Sequence, residues 1–384
     1  MTGSPVSAAW LRRCHALDDA IDRALAESRV VGALLVVTQH GETVYQRAAG
    51  LADREARRPM AVDTLFRYSS LAKPIVSAAA MVLVERGILG LGQPVTRWIP
   101  SFRPRLARGE APTITVHHLL THTSGLSYPW NETSPDGPYH RTGIGDGIRS
   151  SGRLTLDENL ERIASVPLDF DPGSAWQYSV GIDVLGAVIE HATGEDLPAA
   201  VARLVTGPLG MADTSFRVAD PARLASAYGD AQPEPALMRE GHTIPGDMIV
   251  FSPGRAFDAD AFPSGGSGMV GSGPNFVRFL EVIRTGGSPV LTQPTTELMM
   301  SSQIGSISID DMPGVGFGYG GAVIDDPVAA QVPCSPGTWW WGGVYGHRWF
   351  VDPVAGVTVV LLTNTAFEGL WGQLTEDIRS AAYL

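Results

Sequence analysis

The two ends of the chain each carry a β-hairpin pattern with a helix beside it, and this restricts the possible folds more than any other feature. Residues 30–50 read VVGALLVVTQHGETVYQRAAG, two β-rich runs around His40–Gly41, which predicts an antiparallel hairpin. Near the other end, TWWWGGVYGHRWFVD (338–352) turns through Asp352–Pro353 and Gly356 into VTVVLLTNT (357–365), a second hairpin. Ahead of the first hairpin, Leu17, Ile21 and Leu25 recur every four residues while Asp18, Asp19, Asp22 and Arg23 fall elsewhere, the spacing of an amphipathic helix. After the second, Leu370, Leu374 and Ile378 share one helical stripe. Both ends therefore read as pieces of a single antiparallel sheet covered by terminal helices, an α+β architecture.

Between these ends the pattern turns helical and rich in Gly and Pro, with helices expected near 69–87, 181–193 and 274–284. We expect residues 1–95 and 285–384 to form the sheet domain and 96–284 a mainly helical insertion, with a site in the cleft between them. Two irregular stretches, 125–147 and 229–266, exceed ordinary connector lengths and are expected to be binding walls or lids. Neither an internal repeat nor a low-complexity tract interrupts this organisation.

With 384 residues, 44% of them hydrophobic, the chain can bury a large core. A formal net charge of −12 opposes encounter with phosphate backbones or anionic lipid, so nucleic-acid and membrane partners are not expected. The longest apolar runs, GALLVVT (32–38) and VTVVLL (357–362), fall far short of the roughly 20 residues that cross a bilayer. The first nineteen residues lack a basic start, an apolar centre and a small-residue cleavage site. Cys14 and Cys334 are the two cysteines and are expected to be unpaired thiols, which together with the missing leader points to the cytoplasm.

The segment YSSLAKPIV (68–76) carries the most suggestive chemistry. Ser69 is expected to cap a helix whose apolar stripe is Ile75, Ala79, Val82 and Leu83, closing at Gly87. Ser70 then lies in the first turn, three residues from Lys73 and within reach of it. A serine hydroxyl is a weak nucleophile until a base takes its proton, and a desolvated lysine can do so. The helix N-terminus adds free N–H groups that stabilise an oxyanion. Pro74 sits too deep for the best-tolerated helical position, so the first turn is expected to be distorted. S-x-x-K also occurs by chance, but the chain has no G-x-S-x-G elbow, so Ser70 has no rival as a serine nucleophile.

Further along, PGSAWQYSVG places Tyr178 after a Pro–Gly turn and before a helix. A phenol there either anchors a core or, beside a cationic lysine, has its pKa lowered and serves as acid or base. WGGVYG (341–346) puts glycines on a strand, which marks a bulge or a close approach of backbone or ligand. Alternation sends Trp340 to the face opposite Trp339 and Trp341. His117, His118 and His122 form one cluster, with His118 and His122 at a spacing that can bind zinc, but no third ligand is evident and a structural role is expected. His347 either reaches the cleft or pairs with backbone.

In order along the chain, GLADRE, TLFRYSSLAKPI, PVTRWIP, HHLLTHTSGL, PGSAWQYS, DVLGAVIE, PLGM, FPSGGSGM, GFGYG, WGGVYGHRWFVDP and LLTNTA together resemble the family VIII carboxylesterases. These are class C β-lactamase-like serine esterases, and the likeness, to the esterase B type, runs essentially end to end. It implies a serine β-lactamase and penicillin-binding-protein-like fold, with an antiparallel sheet flanked by helices plus an all-α domain. It implies Ser70 as nucleophile, Lys73 as the amine that eases proton transfer, and Tyr178 as general base or acid. The N–H groups of Ser70 and Val344 would form the oxyanion hole and Trp341 would line a substrate pocket. Gly342, Gly343 and, from the stretch 125–147, Tyr128 complete the expected substrate-contacting set. Neither metal nor cofactor is implied, and the partner is a small-molecule ester acted on by a monomer or homodimer.

Two departures from the β-lactamase pattern bear on substrate. Tyr178-Ser179-Val180 stands where those enzymes carry Tyr-x-Asn, and Trp341-Gly342-Gly343 stands where they carry Lys-Thr-Gly. The lost amide and cation each remove a contact worth roughly 1.5–3 kcal/mol to an anionic lactam. Hydrolysis of short-chain neutral esters is therefore expected. Acyl transfer to an alcohol, weak β-lactamase or D-aminopeptidase-like hydrolysis, and a catalytically silent scaffold are the competing readings.

Overall fold

The computed structural model describes residues 8–150, 152–309 and 311–384. The expectation of a missing leader rests partly on residues 1–7, which lie outside these. Eight strands form one antiparallel sheet: β1 (Gly32–Gln39), β2 (Glu42–Asp53), β3 (Arg58–Pro59), β4 (Val315–Phe317), β5 (Ala322–Ile324), β6 (Trp339–Gly343), β7 (His347–Asp352) and β8 (Val357–Thr363). Their spatial order is β4-β5-β6-β7-β8-β1-β2-β3. The two expected hairpins thus meet at the centre, where β1 and β8 pair with Val36 opposite Val360. His40 (φ 51°) and Gly41 (φ 89°) make the tight turn of the first hairpin in the left-handed conformation that matches strand twist. β4 and β5, at the far edge, carry too few residues for a periodic pattern.

β1 and β8 read as unbroken apolar runs because both faces of the sheet are covered. Leu35, Val37, Val359 and Leu361 face outward onto α1 (Ala8–Ala26) and a C-terminal helix (Gln373–Ala382), meeting Leu17, Ile21, Leu374 and Ile378. Leu34, Val36, Val360 and Leu362 face inward. One expectation is corrected here: the closing helix is broken at Gly372, whose extended backbone (ψ 178°) ends the short helix Glu368–Trp371. Leu370 leaves the stripe of Leu374 and Ile378 and packs instead against Gly342 of β6.

The inward face carries the helix that begins at the suspect serine. Ser69–Leu71 form a 3₁₀ turn, and α2 runs from Ala72 to Glu85. Every residue of α2 from Ala72 to Leu83 is buried, not one stripe, because α3 (Gly181–Thr193) and the consecutive short helices Leu197–Val201 and Ala202–Thr206 pack on it within the main core. Ala78, Ala79 and Ala80 keep it slim enough for this. Pro74 is the third residue of α2, in its first turn, where proline is tolerated. α4 (Gly273–Arg284) lies against β1 and β8, where Gly273 sits beside Leu34 too closely for a Cβ, at 2.5 Å. Among the described residues no helix is long and apolar enough to cross a membrane.

Ile21 is fully buried between α1 and the outward face of the sheet. Ile21→Ala is expected to destabilise the protein by about 2–5 kcal/mol, read as a lowered urea midpoint, while leaving the inward face unaltered. An unchanged midpoint would show that α1 contributes no stability to the sheet.

Candidate active site

Ser69 occupies the left-handed region, with φ 45°. For a residue with a side chain this is strained by about 1–3 kcal/mol, so surrounding contacts must hold it. They come from β6. A Cβ on Gly343 would lie 2.6 Å from the Tyr68 carbonyl and 3.0 Å from Ser69 Oγ, so only glycine lets the strand approach the turn this closely. The approach delivers the Val344 N–H, which donates to Ser69 Oγ at 3.0 Å. The Ser70 N–H donates to the same oxygen at 2.5 Å. Ser69 is therefore not the helix cap expected from sequence, since Leu71 occupies the cap position of α2. Its hydroxyl rests on the two N–H groups expected to form the oxyanion hole.

Ser70 Oγ accepts from two side chains, Lys73 Nζ at 3.2 Å and the Tyr178 hydroxyl at 2.7 Å. Lys73 is fully buried; its other acceptor is the Gly266 carbonyl at 2.9 Å. Among the described residues no carboxylate comes within ion-pairing distance of it. Burial lowers its pKa to about 7, against a rise from the more distant Asp183, because desolvation penalises the charged amine. Asp183 is itself buried; it accepts from the Ser264 hydroxyl and, at 3.3 Å, from the Gly266 N–H. Gly266 thus bridges lysine and carboxylate, its carbonyl accepting from one and its N–H donating to the other. Asp183 opens the segment DVLGAVIE and Gly266 lies within FPSGGSGM, but neither is assigned to the site from sequence, since their meeting joins α3 to a distant loop.

The environment of Tyr178 departs from expectation. Burial raises its phenol pKa, only partly offset by hydrogen bonds with Ser70 and Trp341; the anticipated lowering by a lysine cation does not dominate. The phenol is wedged among rings, 4.7 Å from His122, 5.1 Å from Trp341 and 5.2 Å from Tyr128 between centroids. Trp341 Nε1 donates to its oxygen at 3.1 Å, and Lys73 Nζ lies 4.5 Å from its ring centroid. Asn131 holds its backbone through a 2.9 Å bond to the Tyr178 carbonyl.

The remaining expected residues divide. Val344, Gly343 and Trp341 converge on the serine turn and Tyr178, while Gly342 alternates to the outer face against Leu370. Tyr128 is fully buried and stacked on Trp130, with its ring 5.3 Å from Lys73 Nζ. It is a wall of the lysine's pocket. The histidine cluster disperses: His117 meets the Tyr319 hydroxyl, His118 accepts from the Thr115 N–H, and His122 meets Ser179 under Tyr178. Among the described residues no three His, Cys, Asp or Glu side chains are placed to hold a metal. His347 pairs with backbone, Nε2 lying 2.8 Å from the Arg67 carbonyl, and burial lowers its pKa to about 4. The stretch 125–147 forms one wall of an open cavity of about 870 Å³ beside Tyr178.

A hydroxyl held between an amine and a phenol, beside two convergent N–H groups, has the parts needed for acyl transfer. The sequence matches the β-lactamase family over residues 17–383, and the chain belongs to that family. It is 53% identical to Esterase EstB of Burkholderia gladioli over 96% of this chain and 94% of that protein, in keeping with the resemblance to family VIII carboxylesterases. The structure of EstCE1, described as a hydrolase with promiscuous acyltransferase activity, superposes with a TM-score of 0.95 at 44% identity over 98% of this chain and 100% of that one. Simvastatin synthase of Aspergillus terreus shares the fold, with a TM-score of 0.75 at 22% identity over 97% of this chain and 98% of that one.

Lys73 is the only lysine in the sequence; the other Lys and Arg positions are all arginine. That solitude was a legible signal of an unusual role. It also permits a clean measurement, because ¹⁵N-lysine labelling yields one side-chain resonance. We expect this amine to titrate with a midpoint near 7; a midpoint near the ordinary lysine value would show that burial does not discharge it.

Proposed function

We propose that this carboxylic ester hydrolase cleaves short-chain neutral esters through an acyl-enzyme on Ser70. The observation that carries the reading is the pair of contacts on Ser70 Oγ, from Lys73 at 3.2 Å and Tyr178 at 2.7 Å. Neutral Lys73 takes the serine proton as Oγ bonds to the ester carbonyl carbon. The Ser69 hydroxyl rotates away, and the resulting oxyanion takes its place on the N–H groups of Ser70 and Val344. As the carbon–alkoxy bond breaks, the phenol of Tyr178 protonates the departing alcohol, and the ammonium of Lys73 returns a proton to Tyr178. Water then attacks the acyl carbon by the same groups in reverse, releasing the acid and restoring Ser70. The raised pKa of Tyr178 makes it the acid, and the lowered pKa of Lys73 makes it the base.

The preference for neutral substrates is supported by the open cavity beside Tyr178. Its charged lining residues among those described are Glu132, Asp169 and Asp311, all acidic, so an anionic substrate meets repulsion and no cation. A second reading, transfer of the acyl group to an alcohol, is favoured by the description of EstCE1 and needs only that alcohol replace water. We further propose that the cleft separates the sheet, grouped with Gly273–Arg284, from the helical middle of the chain. The free thiols Cys14 and Cys334 support a reducing, cytoplasmic setting for a monomer or homodimer.

Ser70→Ala is expected to abolish hydrolysis of p-nitrophenyl butyrate, and Tyr178→Phe to lower it by about 10²–10⁴-fold; full activity in Ser70→Ala would sink the assignment. For wild type, kcat/KM should rise with pH through about 7 as Lys73 loses its proton, since only the neutral amine accepts the serine proton. A rate flat across that range would remove Lys73 as base. Adding methanol should divert product from acid to methyl ester if the acyl-enzyme also serves as a donor.

Ser69→Ala removes the oxygen through which the Val344 and Ser70 N–H groups hold the strained turn. Because each such hydrogen bond contributes about 0.5–1.5 kcal/mol net, kcat/KM is expected to fall by about tenfold. An increase would mean that the hydroxyl only occupies the two donors and does not hold the turn in shape.

A further inference from the structure

On the outer face of the sheet, between β5–β7 and the helix Gln373–Ala382, lies a cavity of about 210 Å³. The sheet lies between it and Ser70, since Trp340 points into it while its neighbours Trp339 and Trp341 face inward; its rim residue Asp311 also borders the open cavity beside Tyr178. Its apolar wall includes Ile324, Phe350, Leu361 and Ile378. The polar part of the wall is unusual. Arg348 lies over the Trp340 ring, 4.0 Å from its centroid, and makes a single long hydrogen bond, 3.4 Å to the Leu370 carbonyl.

Among the described residues no carboxylate pairs with Arg348. Part of its side chain remains exposed, yet the guanidinium is withdrawn from water enough for burial to lower its pKa to about 10. Two more buried donors at the cavity wall, Trp340 Nε1 and Arg379 Nε, have no acceptor. Arg379 uses its other nitrogen on Glu376. Asp311, the carboxylate among the lining residues, is exposed at the rim. Two donors without acceptors and a guanidinium with one long hydrogen bond and no carboxylate, beside an apolar chamber, make a site with the chemistry of an anion that carries a hydrocarbon tail.

We propose that this cavity is a second binding site for a short to medium-chain aliphatic carboxylate, its head on Arg348 and its chain among Phe350, Leu361 and Ile378. The volume favours such a ligand, because pockets for drug-sized molecules run to roughly 300–1,000 Å³. Planar guanidinium forks match a carboxylate in two-point contact, and Trp340 holds the fork in place.

The test is isothermal titration of the full chain with sodium octanoate, with octan-1-ol as the uncharged control. Wild type should bind octanoate saturably at a site lost, by about tenfold or more in affinity, on Arg348→Met. Val332→Trp, which fills the chamber from its half-buried rim, should lose the same site. Both variants should keep wild-type ester hydrolysis. If octanoate also enters the catalytic cleft, the variants show one site where wild type shows two. No saturable binding by wild type, equal binding by wild type and both variants, or equal affinity for octan-1-ol each overturns the proposal.

Discussion

The contact between β6 and the Ser69–Leu71 turn is the constraint on which the site depends. Gly343 has no side chain to hold strand and turn apart, so the Val344 N–H reaches Ser69 Oγ. That bond, with the one from the Ser70 N–H, keeps Ser69 at a positive φ it would otherwise avoid. The kink so held lets α2 start at Ala72, one residue before Lys73. It turns Ser70 toward the lysine and the cleft. Loosening this contact would disturb the hydroxyl, the amine and both N–H donors together, because each is placed by the same few residues.

The second feature is a lysine sunk in a helix that is buried on all sides. An ammonium there has lost its water and gained one carbonyl, one hydroxyl and two aromatic faces. These do not replace its hydration, so its proton is held weakly. Asp183 stops the shift from going further, acting through space and through Gly266, and not by direct contact. A close ion pair would have restored the ordinary lysine pKa and kept the amine charged near neutral pH. Tyr128 and Tyr178 exclude water from the pocket, and burial raises both phenols, so they remain protonated.

The sheet then separates two environments along a single strand. Trp341 faces the serine and bonds to Tyr178, while Trp340 faces the outer chamber beneath Arg348. Strand alternation alone makes this division. It explains why three consecutive tryptophans are not one aromatic platform, and why Gly342 belongs to the packing of Leu370 while Gly343 belongs to the site.

Much of this was legible in the amino-acid order. Periodicity disclosed α1, the two hairpins and the helix after Ser70, because burial repeats with the element's own spacing. S-x-x-K brought Ser70 and Lys73 together, since three residues along a helix is a local distance. The Pro–Gly turn singled out Tyr178 without choosing between anchor and acid or base; that choice, and the position of Val344, came only from likeness to a family. What the sequence by itself determined, then, was local: which segments form elements, and which neighbours along one turn can touch. The tertiary structure alone decided the breaking of the last helix at Gly372, the burial of α2 on every side, the seat of the Ser69 hydroxyl and the reach of Asp183 to Lys73. It also reversed the expected shift of the Tyr178 phenol. The physical reason is common to these: desolvation and close backbone approach depend on what packs from elsewhere in the chain, and no spacing within a motif records that.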